Sequence, residues 1–85
     1  MIIQELIKIL KEKGVNDKLY TFDGASQEDK IVLQLSTNHY ANNNDYKEWR
    51  VFYFERGVRY DEKVYFSENE ACIDMLNRLI HYKTH

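Results

Sequence analysis

The sequence contains no proline, one cysteine and only three glycines. A single cysteine excludes an internal disulfide, so nothing covalent fixes the fold. Three scattered glycines exclude a phosphate-cradling glycine loop. No stretch approaches the roughly 20 apolar residues that a membrane span needs. The start Met1-Ile2-Ile3-Gln4-Glu5 lacks the basic segment of a secretory leader, which points to a cytoplasmic protein. A basic excess is missing as well: 12 Lys and Arg stand against 14 Asp and Glu, for a net charge of −2. That balance argues against a dedicated nucleic-acid binder.

What is present is an aromatic load. Seven tyrosines, four phenylalanines and one tryptophan occur in 85 residues, 44% of which are hydrophobic and 31% charged. This composition belongs to soluble globular proteins rather than disordered ones. The length allows one domain, residues 1–85, burying roughly 60–65% of the surface its unfolded chain exposes.

Ile2, Ile3, Leu6, Ile7 and Leu10 form one helical stripe, and Gly14 is placed to close that helix with Val15 folding back onto it. Leu19-Tyr20-Thr21-Phe22 reads as a short strand ending at Asp23-Gly24. The polar segment Asp23–Asp29 reads as the loop of a first hairpin. Lys30–Ser36 alternates as a second strand. Asn38–Tyr46 is the longest polar interval and reads as a loop. Trp49–Glu55 is a third strand, Glu55-Arg56-Gly57-Val58 a tight turn, and Arg59–Phe66 a fourth strand. Ser67-Glu68-Asn69-Glu70 is a capping box that opens a helix to about Tyr82, with Cys72, Met75, Leu76, Leu79 and Ile80 inward. Phe66 is placed to pack on Ala71 as a hydrophobic staple. The predicted fold is α+β: a four-stranded antiparallel meander with N- and C-terminal helices (αββββα) on one face. Trp49 and Tyr53 oppose Phe52 and Phe54 on the third strand, so one aromatic set points away from the helices. A monomer seldom leaves such a patch in water, which suggests a partner or self-association.

No catalytic constellation is visible. His81 and His85 share a helix face, but no third ligand with matching spacing stands beside them. His39 is a lone histidine in a polar loop, with Tyr40 and Tyr46 near it in sequence only. Cys72 falls in the first turn of a helix, where a thiol is activated, yet it occupies a core position of the apolar stripe. Glu55, Asp61 and Glu62 alternate with Arg56, Arg59 and Lys63, the pattern of a surface ion-pair lattice rather than a metal site. Aromatics with Arg50, Arg56 and Arg59 fit base stacking, but the acidic balance opposes it. The expectation is a protein with no enzymatic activity, cofactor or metal.

The runs Trp49-Arg50-Val51-Phe52-Tyr53, Glu55-Arg56-Gly57 and Phe66-Ser67-Glu68-Asn69-Glu70-Ala71-Cys72 resemble small bacterial immunity proteins. These are the antidotes encoded beside polymorphic or contact-dependent growth-inhibition toxins. The resemblance covers about a quarter of the chain. It implies a cytosolic inhibitor that forms a heterodimer with its cognate toxin, frequently a nuclease, and blocks the active site. Charge and loop placement nominate Asp23, Glu28, Asp29, Tyr40, Asp45, Tyr46 and Glu48 as toxin-binding residues. The alternative expectation is an interaction or homodimerisation module that uses the aromatic sheet face.

Overall fold

A computed structural model describes residues 1–22, 29–39 and 45–83. The first apolar stripe forms α1, Ile3–Glu12. Gly14 takes φ 70°, its N–H donates to the Lys11 carbonyl (3.1 Å), and the Val15 N–H donates to the Leu10 carbonyl (3.0 Å). This pair of bonds is a Schellman closure, and it returns Val15 to the core. At its start α1 has no side-chain cap of its own. Glu68 provides one from far along the chain, its Oε2 accepting from the Ile3 N–H at 2.8 Å.

The chain continues through a 3-10 turn, Asp17–Leu19, in which Asn16 Oδ1 accepts from the Lys18 N–H at 2.9 Å. Four strands follow: β1 Tyr20–Thr21, β2 Lys30–His39, β3 Asp45–Glu55 and β4 Val58–Tyr65. They lie in the order β1-β2-β3-β4. The last three are antiparallel, but β1 runs parallel to β2, with Tyr20 beside Ile31. The sheet is therefore mixed, which corrects the predicted antiparallel meander and its first hairpin. An apolar β-type run encodes that a strand forms, not its direction. With only two residues to align, the eight residues between Thr21 and Lys30 suffice to bring the chain back to the same end.

The central hairpin is also longer than predicted. Its ladder continues through Asn38–Tyr46 and His39–Asp45, so Asp45, Tyr46 and Glu48 belong to β3 and not to a loop. Cross-strand pairing overrides the turn preference of Asn38 here. Between β3 and β4, Arg56 and Gly57 take φ 53° and 75° with Glu55 opposite Val58, a two-residue type I′ turn. Further along β4 the register slips opposite Phe52, where Asp61 has φ 53°, the signature of a bulge.

The final helix, α2, spans Glu68–Lys83. Ser67 Oγ accepts from the Glu70 N–H at 3.5 Å, the N-cap half of the predicted box. The staple does not form: Phe66 is 69% exposed while Ala71 is fully buried. Leu6 and Leu10 of α1, Cys72, Met75 and Leu79 of α2, and Ile31, Leu33, Trp49 and Val51 of the sheet make one core cluster. Both helices thus cover the same sheet face. Leu35, two residues beyond Leu33 on that face, is exposed and marks where the cover ends. The β2–β3 hairpin runs on past it, and the molecule measures 46 × 29 × 17 Å.

Candidate interaction surface

On the face away from the helices, Phe52 is only 3% exposed. The Arg59 guanidinium lies 4.4 Å from its ring centroid. Arg59 also donates to Glu62 (2.7 Å), and Arg50 reaches both Glu48 (2.6 Å) and Glu62 (3.6 Å). The predicted bare aromatic face is therefore corrected. An ion-pair lattice roofs it, built by Arg50, Glu48, Arg59 and Glu62, whereas Lys63 points to the opposite side of β4.

Glu48 is the key departure among the nominated residues. It is 6% exposed, and its Oε1 accepts from both Nε (3.0 Å) and Nη2 (2.6 Å) of Arg50. This contact holds the Arg50 pKa above its ordinary value, the hydrogen bond to Glu48 being the largest cause. Two residues apart on one strand, the two side chains share a face, and burial strengthens the pair. Glu48 enters any interface as half of an ion pair, not as the free loop carboxylate expected from the sequence.

Asp29 is exposed but structural in its contacts. At φ 60°, its N–H donates to the Phe54 carbonyl (2.8 Å) and its Oδ1 accepts from the Tyr53 hydroxyl (3.3 Å). It lies beside the Lys30–Phe54 end of the sheet, whereas Tyr46 pairs with Asn38 at the other end. Phe54 lies eight residue steps from Tyr46, about 27 Å along β3. The structure therefore does not bring Asp29 together with Asp45, Tyr46 and Glu48. Asp23, Glu28 and Tyr40 lie outside the described residues.

At the Tyr46 end the structure adds a residue that the sequence reading spent on a staple. The Phe66 ring stands 5.8 Å from that of Tyr46, centroid to centroid, at 50°. Val64, also outward on β4, is exposed beside them. The signal was in the sequence: Val64 and Phe66 share the parity that faces away from Lys63 and Tyr65.

Groups with chemical potential are mostly spoken for. Cys72 is fully buried, and burial pushes its thiol up to about 11, so it is protonated at neutral pH. Between α2 and β4 runs a groove of about 550 Å³, with Tyr53, Lys63, Asn77 and His81 on its walls. A network closes its floor: the Tyr65 hydroxyl donates to Asp74 (2.7 Å), and Arg78 donates to Asp74 (2.9 Å) and to the Asp61 carbonyl (2.6 Å). Burial, then the bond to Asp74, raises the Tyr65 pKa to about 12. Among the described residues no three His, Cys, Asp or Glu side chains are grouped to hold a metal. Among the described residues no helix is long and apolar enough to cross a membrane. No family model, no curated protein and no solved structure matches this chain.

Proposed function

We propose that this protein is an immunity protein that binds a cognate bacterial toxin, a nuclease, in the cytosol and blocks its active site. One observation carries the reading: half-buried Tyr46 on β3 packs against the exposed Phe66 ring just past β4, with exposed Val64 beside it on the outer sheet face. Aromatic anchors already held against one another lose little freedom on binding, and such residues dominate interface energies. The lattice of Glu48, Arg50, Glu62 and Arg59 borders them with fixed polar groups that set register. A nuclease presents a basic substrate surface, and an inhibitor with an acidic balance approaches it with favourable steering. Function then rests on affinity rather than turnover, consistent with the resemblance of Trp49–Cys72 to immunity proteins.

The test is growth rescue by coexpression with the toxin domain encoded beside this gene. The wild-type chain is expected to rescue, and the double variant Tyr46→Ala/Phe66→Ala to lose rescue while retaining its circular dichroism and melting temperature. Undiminished rescue by that variant contradicts the proposed surface. A second reading, self-association, has one observation in its favour: β4 forms an edge of the sheet.

A further inference from the structure

The two halves of the β4 edge differ. At the bulge, Asp61 sits at φ 53° and Arg78 Nη2 occupies its carbonyl at 2.6 Å. Such an interrupted, occupied edge resists strand pairing. Past the bulge, Lys63, Val64 and Tyr65 sit in regular register against Val51, Arg50 and Trp49. The Phe54 carbonyl accepts from Asp29 on the β2 side, so alternation turns the main chain of Val51 and Trp49 toward β4. Their partners Lys63 and Tyr65 turn inward to meet them. The N–H and C=O groups of Glu62 and Val64 consequently face the open edge.

Side chains at this half edge are complementary to one another. Lys63, Tyr65, Glu70 and Ile73 line a groove of about 340 Å³ on the helix side. Among the described residues, neither the Lys63 ammonium nor the Glu70 carboxylate forms an ion pair. Val64 is 41% exposed on the other side.

We propose that a second copy of this chain pairs with this half of β4, antiparallel, with the two-fold axis at Val64. In that register Val64 meets its own counterpart, and Lys63 stands opposite Tyr65 of the second copy. Each ammonium thereby enters the groove holding the other copy's Glu70, and the two-fold makes both ion pairs at once. Centring the axis on Lys63 opposes two ammonium groups, and centring it on Glu62 brings the bulge into the ladder. The Val64 register avoids both conflicts. The result is one sheet continuous across two copies, with both Tyr46–Phe66 pairs on the same outer face.

Sedimentation velocity of the full-length chain across a concentration series tests this. The wild-type protein is expected to dimerise. Lys63→Glu and Glu70→Lys are each expected to weaken the dimer by about tenfold or more through like-charge contact, and the double swap Lys63→Glu/Glu70→Lys to restore it. Val64→Cys is expected to cross-link to itself on mild oxidation, because opposed residues of a hydrogen-bonded pair sit at disulfide range. Arg59→Cys, before the bulge, is expected not to. Cys72 is fully buried and does not interfere. A wild-type monomer at every concentration, a swap that fails to restore the dimer, or no cross-link at Val64→Cys overturns the proposal. A monomer that still captures the toxin sinks self-association alone and leaves the immunity reading standing.

Discussion

Two residues apart on β3, Glu48 and Arg50 decide what the outer sheet face shows to solvent. Removing the carboxylate in Glu48→Ala leaves the Arg50 head group with only the longer contact to Glu62. Because Glu48 is buried while Arg50 is a third exposed, the expected loss is about 1–2 kcal/mol in urea unfolding, with Glu48→Gln losing less. Titration gives a second residue-level prediction. The folded pKa values of Cys72 and Tyr65 lie above their ordinary values, about 11 against 9.0 and about 12 against 10.0. Between those limits the native state holds protons that the unfolded state has released. These two groups therefore stabilise the fold fully below pH 9 and lose that contribution as pH rises toward 11 and 12. The melting temperature is expected to fall above pH 9, less steeply in Tyr65→Phe. The same burial makes Cys72 inert to thiol reagents in the native state and reactive on unfolding.

At the scale of elements, the ends of α1 show local and non-local control side by side. Gly14 and Val15 closed the helix as their sequence predicts, because a Schellman motif is built within a few consecutive residues. The beginning was illegible: Ile2 has no capping group, and Glu68 fills the role from the first turn of α2. Glu68→Ala is expected to destabilise the protein by about 1 kcal/mol and to speed amide exchange at Ile3, Gln4 and Glu5 first. The β3–β4 turn makes a prediction of opposite sign. Arg56 occupies a left-handed position that Asn favours before glycine, so Arg56→Asn is expected to raise the melting temperature, whereas Gly57→Val lowers it. Strands β3 and β4 and the α2 stripe were readable from alternation and helical spacing. The direction of β1 and the reach of the β2–β3 hairpin were not. A two-residue strand carries no directional signal, and Tyr46 becomes a strand residue only through its pairing with Asn38. Of the nominated residues, Tyr46 lies on the outer sheet face beside Phe66, whereas Glu48 reads as a loop residue in sequence because nothing local announces a partner two positions away.

For the molecule as a whole, the helices cover only part of the sheet. The radius of gyration is 13.4 Å, against roughly 12 Å expected for a compact domain of this length. The excess lies along the hairpin that runs beyond Leu35, and the Tyr46–Phe66 pair sits on that extension. Under the proposed function, this projecting pair is what meets the toxin. Because Phe66 is mostly exposed, Phe66→Ala is expected to change folding stability by no more than about 0.5 kcal/mol. On the proposed function its effect falls on binding instead. Titration calorimetry of the intact protein against the toxin domain encoded beside its gene separates the two most directly. The expected result is tight binding by the wild-type chain and a loss of about 2 kcal/mol or more, roughly thirtyfold in Kd, for Phe66→Ala. Equal affinity for the two proteins, or no heat of binding from the wild-type chain, would contradict the claim that this surface is where the protein acts.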